Sequence, residues 1–171
     1  MTRYVALLRG VNVGGVTIKM AELAQVIRGL GYADVKTVLA SGNVLLTTTD
    51  SAEVAKEKLE TALRGHFGYE AWVHVLTQDA VADIVAAYPF TRSDDRHAYV
   101  VFVVQPDVRR ELLAVPLDPA LEQAAEREGV IYWTVPKGST LDSAMGKAQG
   151  SSKHKQWLTT RNLNTLEKLL G

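Results

Sequence analysis

The 171-residue chain contains no cysteine, which excludes disulfide bonds, thiolate-bound zinc, iron–sulfur clusters and cysteine nucleophiles. No apolar run approaches the roughly 18 residues that a membrane-spanning helix needs. The apolar stretch from Val5 to Leu8 is also too short for the core of a secretory signal peptide. We therefore expect a cytoplasmic protein with no membrane partner.

The chain has no excess of charge of either sign, since Lys plus Arg and Asp plus Glu both number 19. The charge is nevertheless unevenly distributed, because residues 1–20 and 137–171 are basic and the segment between them is acidic. If the fold brings the two ends together, they form a positive patch that attracts an anionic ligand. The hydrophobic content of 47% is ample for a packed core in one domain or two small ones.

The first half of the chain predicts the element order βαββαβ, which is the ferredoxin-like pattern. An apolar strand ends at Arg9, and a helix with one apolar face follows from Met20. The turn residues 41–43 (SGN) separate two further strands, and a second helix precedes a strand that ends at Thr77. We expect residues 1–77 to form one ferredoxin-like subdomain.

The second half, residues 78–171, predicts a second α+β subdomain with the order αβαββα and a basic, helical carboxyl-terminal segment. The last helix is expected to begin at Thr159 or Thr160 and to bury its leucines. Its opposite face would then carry Arg161, Asn164, Thr165 and Lys168. The predicted fold is α+β, with two ferredoxin-like subdomains whose antiparallel sheets carry helices packed on one face.

Four short segments resemble the bacterial domain-of-unknown-function family 1697. They are residues 7–15 (LLRGVNVGG), 20–23 (MAEL), 41–44 (SGNV) and 160–165 (TRNLNT), in the same order as in the family. Leu163 departs from the family pattern, which has tryptophan between the two asparagines. The resemblance implies an α+β fold of two ferredoxin-like subdomains, and it implies no activity.

The sequence predicts that one pocket binds a small anionic ligand that carries phosphate or carboxylate. The glycine turn after the first strand lets a ligand approach the backbone, and the start of the last helix has free N–H groups. The Lys137–Lys155 segment, rich in Gly, Ser and Lys, could close over the ligand. The predicted ligand-binding residues are Arg9, Asn12, Gly14, Gly15, Ser41, Asn43, Arg161, Asn162 and Asn164.

Other functions remain open, and no catalytic residue, cofactor or metal site is predicted. An enzyme acting on a phosphorylated small molecule would use His154 or Ser41 for proton transfer. Nucleic-acid binding is less favoured, because Tyr4 is the one aromatic residue on the two central strands and offers little for base stacking. Binding to the nucleic-acid backbone through the basic ends remains an alternative. The third alternative is a self-associating scaffold. Gly146-Lys147 is a poor match to a phosphate-binding loop, because Leu141 replaces its first glycine.

Overall fold

Each half of the chain forms a four-stranded antiparallel sheet with two connecting helices. The computed structural model describes residues 1–9, 17–40, 42–127, 129–150 and 157–171. The chain divides into two compact units, of which one comprises Met1–Ala82 and Glu167–Gly171 and the other comprises Asp83–Leu166. The α+β class with two antiparallel sheets is confirmed.

The first unit has the predicted order βαββαβ, and its sheet order is β2-β3-β1-β4. Its core lies between the sheet and the two helices, where alternate residues of the first strand, Tyr4, Ala6 and Leu8, meet the apolar faces of both helices. The elements are β1 (Thr2–Leu8), α1 (Met20–Arg28), β2 (Ala33–Val38), β3 (Asn43–Thr48), α2 (Ala52–Phe67) and β4 (Val73–Thr77).

The second unit repeats this sheet order as β6-β7-β5-β8. Its core joins the alternating residues Val101 and Val103 to Ile131, Trp133 and the helix residues Leu112 and Met145. The elements of this half of the chain are α3 (Gln78–Ala86), β5 (Arg96–Val103), α4 (Pro106–Leu113), β6 (Gln123–Arg127), β7 (Val130–Pro136), α5 (Ala144–Gln149), β8 (Leu158–Asn162) and α6 (Leu163–Leu169). Helices α3 and α6 each contain residues of both units.

The order predicted for the second half lacks one strand, because the sequence predicts that the last helix begins at Thr159 or Thr160, whereas residues 158–162 form strand β8. Thr159 and Thr160 suit a helix cap, but β-branched residues also favour strands. Here they pair with β5, as in the register Phe102↔Thr159 and Val101↔Thr160. With β8 present, the second unit contains a complete βαββαβ arrangement between α3 and α6.

The boundary between the units lies at residues 82/83, five residues beyond the predicted boundary at 77/78. The last five residues cluster with the first unit, although the sequence placed them in the second. Within the first unit, the side-chain amide of Gln78 donates to the carbonyl oxygen of Leu169 at 2.9 Å. This hydrogen bond ties the start of α3 to the end of α6.

Within the part of the chain that the structure describes, no helix combines the length and the apolar character needed to cross a bilayer.

Candidate functional site

A cavity lies at one end of the second sheet, where β5 begins and β7 and β8 end. The antiparallel register pairs Arg96 with Pro136, which places Lys137 beside the start of β5. The register on the other side pairs Tyr99 with Asn162 at the end of β8. The cavity has a volume of about 310 Å³ and is lined by Arg92, Ser93, Asp94, Arg96, His97, Ala98, Lys137, Asn162 and Asn164.

Two hydrogen bonds hold the side chain of Arg96, a cationic residue of this lining, in place. Its Nε donates to Thr134 Oγ1 at 3.1 Å, and its Nη2 donates to the carbonyl oxygen of Leu121 at 2.8 Å. Thr134 is buried on β7 and lies diagonally across the strand pair from Arg96. The guanidinium is therefore held in one orientation while Nη1 remains without a hydrogen bond to any described residue.

Arg92, Asn162 and Asn164 form a second set of connected side chains. Arg92 Nη2 donates to Asn164 Oδ1, which joins the loop before β5 to the first turn of α6. Asn162 Oδ1 accepts from the backbone N–H of Asn164 at 2.9 Å. Both amide oxygens are thus occupied by donors from the protein itself.

The acidic groups near the cavity offset only part of the positive charge of Arg92, Arg96 and Lys137. Asp94 is exposed and lines the cavity. Asp95 lies beside the lining, and the hydrogen bond from Ser93 Oγ to Asp95 Oδ1, 2.6 Å long, holds the pKa of its carboxyl below the usual range. Its backbone carbonyl accepts from the N–H of Lys137 at 2.9 Å, so Asp95 also fixes the chain at Lys137.

His97 is the histidine of this lining, and an aromatic stack supports it. Its ring lies 5.1 Å from that of Tyr99, and the Tyr99 ring stacks on Trp133 at 5.0 Å. In the sequence His97 follows Asp94 and Asp95 after one intervening residue. Among the described residues, no group of three or more histidine, aspartate or glutamate side chains could hold a metal ion.

Two predicted ligand-binding residues, Arg9 and Asn43, belong to the first unit. Arg9 Nη1 is buried without a hydrogen-bond partner among the described residues, and burial lowers the pKa of Arg9 to about 10. Asn43 is fully buried, and its Nδ2 donates to the carbonyl oxygen of Val38 at 2.9 Å. Asn43 therefore stabilises the β2–β3 hairpin.

Arg161 lies on β8 and not in the first turn of a helix, so the predicted helical position is wrong. It is only 7% exposed, although the sequence placed it on the exposed face of the last helix. Its Nη1 donates to Thr159 Oγ1 at 2.6 Å and to the carbonyl oxygen of Thr160 at 3.1 Å. Thr165 is also buried, contrary to prediction.

The remaining predicted ligand-binding residues, Asn12, Gly14, Gly15 and Ser41, lie outside the described residues. Asn162 and Asn164 do line a cavity, together with four residues that the sequence analysis did not select: Arg92, Arg96, His97 and Lys137. Two sequence features could have identified them. Both ends of the loop 92–96 are basic, and Lys137 follows directly on an apolar strand.

The Gly146-Lys147 pair has a structural explanation other than phosphate binding. The N–H groups of Ala144 and Met145 at the start of α5 donate to the Glu122 carboxylate at 2.9 and 3.3 Å. A Cβ atom at position 146 would lie 1.7 Å from the carbonyl oxygen of Thr140. Close packing therefore requires glycine here, and an internal carboxylate occupies the position that a phosphate would take.

Tyr4, the aromatic residue considered for base stacking, is 6% exposed. Its hydroxyl donates to the backbone carbonyl of Asp50 at 3.0 Å, and its ring belongs to the core between sheet and helices. A ring in this position has no free face for a nucleic-acid base.

The fold and the site define an α+β protein with two similar sheets and a cationic cavity in the second unit. The chain belongs to the DUF1697 family, described as "Protein of unknown function", whose family model matches residues 1–132. The family resemblance is thus confirmed. No curated protein matches the chain.

A solved structure titled "The structure of conserved bacterial protein SP0830 from Streptococcus pneumoniae" is similar over almost the whole length. The two sequences are 27% identical, and the match covers 98% of this chain and 96% of the other, with a TM-score of 0.81. The similarity extends beyond residue 132 and therefore includes the second unit.

Proposed function

We propose that this protein binds a small anionic ligand, bearing phosphate or carboxylate, in the cavity of the second unit. The observation that carries the proposal is the arrangement of Arg92, Arg96 and Lys137 around one cavity whose lining contains a single carboxylate, that of Asp94. These cations come from a loop, a strand and the turn after a second strand. The fold itself therefore concentrates the positive charge.

Such a cluster of like charges is unfavourable without a counter-ion, because each cation raises the electrostatic free energy of the others. Arg96 and Lys137 form no ion pair within 4 Å among the described residues, and Asp95, which interacts electrostatically with both, offsets only part of their charge. A bound anion would relieve this repulsion and would accept charge-assisted hydrogen bonds, which are roughly twice as strong as neutral ones.

The rigidity of Arg96 also supports binding. Its hydrogen bonds to Thr134 and Leu121 fix the guanidinium before any ligand arrives. The entropy cost of ordering this side chain is then met on folding rather than on binding. The cavity volume of about 310 Å³ lies at the lower end of the range for small-molecule sites, which suits a compact ligand.

The test is thermal unfolding of the full chain in inorganic phosphate against chloride at equal ionic strength, followed by calorimetric titration. We expect phosphate to raise the Tm of the wild type. Lys137→Gln is expected to weaken phosphate binding by about threefold to tenfold, because it removes one charge from the site without disturbing a side-chain hydrogen bond.

Lys36→Gln is the matched control, since Lys36 is exposed on β2 in the first unit and does not line the cavity. It should bind phosphate as the wild type does. If the two variants lose phosphate affinity equally, phosphate binding depends only on the net charge of the protein and not on this cavity. If phosphate has no effect on the Tm of the wild type, the proposal is contradicted directly.

A further inference from the structure

We infer that the cavity selects a group that only accepts hydrogen bonds and presents several oxygens, such as sulfate or a phosphate ester, in preference to a carboxylate. The inference rests on the proposed function and specifies its ligand class. It assigns Asn162 and Asn164 as the specificity-determining residues of the site.

The orientation of the two amide groups carries the argument. Asparagine can offer either its oxygen as an acceptor or its nitrogen as a donor. Here the Asn164 oxygen accepts from Arg92, and the Asn162 oxygen accepts from the backbone N–H of Asn164. Each side chain therefore has its Nδ2 group left for a ligand, and neither Nδ2 donates to another described residue.

The charged side chains of the lining also favour a ligand that accepts hydrogen bonds. Arg92, Arg96 and Lys137 have no acceptor atoms on their side chains. The hydroxyl hydrogen of Ser93 is already directed to Asp95. Among the charged side chains of the lining, only that of Asp94 is an acceptor. A ligand that must donate a hydrogen bond finds few partners here, whereas an oxyanion finds many.

The donors also surround the cavity from several directions. They are supplied by the loop before β5, by β5 itself, by the turn after β7 and by the junction of β8 with α6. Oxygens arranged tetrahedrally can meet donors on several sides at once. The two oxygens of a carboxylate lie in one plane and can satisfy fewer of them.

Sulfate and malonate provide a charge-matched test with the full chain, because both are dianions at pH 7.5 and differ in the geometry of their oxygens. We expect sulfate to bind at least about fivefold more tightly than malonate in calorimetric titrations at constant ionic strength. Equal affinities, or tighter binding of malonate, would overturn the inference and leave the proposed function intact. If neither anion binds, both fail.

Two substitutions that change the charge of the lining in opposite directions test whether these residues determine the preference for sulfate. Asn164→Asp keeps the side-chain shape and its contact with Arg92 but replaces a donor by an acceptor, so sulfate affinity should fall by about tenfold or more. Asp94→Asn replaces the single acidic group by a neutral one, so sulfate affinity should rise by about threefold to tenfold. Asn162→Asp provides a second variant should Asn164→Asp fold poorly.

Gln25→Glu is the matched control, because it adds the same charge at an exposed position on α1 in the first unit, outside the cavity. Its sulfate affinity should remain within about twofold of the wild type. If both asparagine variants keep wild-type affinity for sulfate and the wild-type ratio of sulfate to malonate, these two residues do not determine specificity.

Discussion

The carboxylate of Glu122 accepts a hydrogen bond from the indole Nε1 of Trp133 at 2.9 Å in the interior of the second unit. Glu122 is 1% exposed, and it also accepts from the backbone N–H groups of Ala144 and Met145. One buried charge thus joins the start of α5 to the central part of β7. A buried carboxylate is tolerated when several donors replace its hydration, and here three do so.

Glu122→Gln should destabilise the fold, because the side-chain amide would present its own N–H hydrogens to one of the three donors. We expect the free energy of unfolding to fall by about 1–3 kcal/mol, the cost of leaving a buried donor unsatisfied. Urea denaturation of the wild type and the variant measures this difference in the free energy of unfolding. Glu126→Gln is the control, since Glu126 is 45% exposed and its ion pair with Arg109 contributes little. Similar losses in both variants would contradict a special role for Glu122.

Gly146→Ala should destabilise the second unit strongly, because the new Cβ would lie 1.7 Å from the carbonyl oxygen of Thr140. Overpacking against backbone costs about 3 kcal/mol or more when the backbone has to move. Gly65→Ala is the matched substitution within helix α2, where a Cβ meets nothing within 4 Å. It should stabilise the protein by about 0.5–1 kcal/mol. Thermal unfolding of the two variants should therefore shift in opposite directions.

Asp50 should make the stability of the first unit sensitive to acid. The hydrogen bond from Lys58 Nζ, at 2.8 Å, and that from the Tyr32 hydroxyl, at 2.9 Å, hold the pKa of Asp50 below its usual range. Because the folded pKa is lower than the unfolded one, the interaction stabilises the fold fully above about pH 4 to 5. The contribution is lost as the pH falls through the folded pKa.

The measurement is the difference in unfolding free energy between wild type and Asp50→Asn as a function of pH. This difference should be constant from pH 7 to about pH 5 and should shrink as the pH falls further. Asp142→Asn, at an exposed position in the second unit, is the control variant. A pH-independent difference for Asp50→Asn would contradict the prediction.

The fold was largely predictable from local patterns, because helix and strand periodicities depend on neighbouring residues. The helix beginning at Met20 and the hairpin around residue 42 are examples. Strand β8 was missed for a physical reason. Its sequence, LTTRN, suits a helix start as well as a strand, and only its pairing with β5 across more than 50 residues decides between them.

The cavity was less predictable than the fold. Asn162 and Asn164 were selected, but Arg96 and Lys137 become neighbours only through the pairing of β5 with β7, which spans an intervening helix and strand. Single-sequence periodicity contains no information on such long-range pairing. Arg161 shows the opposite error, since an arginine expected to face solvent is buried beside Thr159.

The turn after β7 supplies one wall of the cavity, and its Lys137 lies beyond residues 1–132, which the family model matches. A relative can therefore match the family model over the same residues and still differ at the position equivalent to Lys137. Relatives that share this fold can then differ in the ligand that their cavity binds. Grouping such proteins by ligand requires comparison of their carboxyl-terminal forty residues or so.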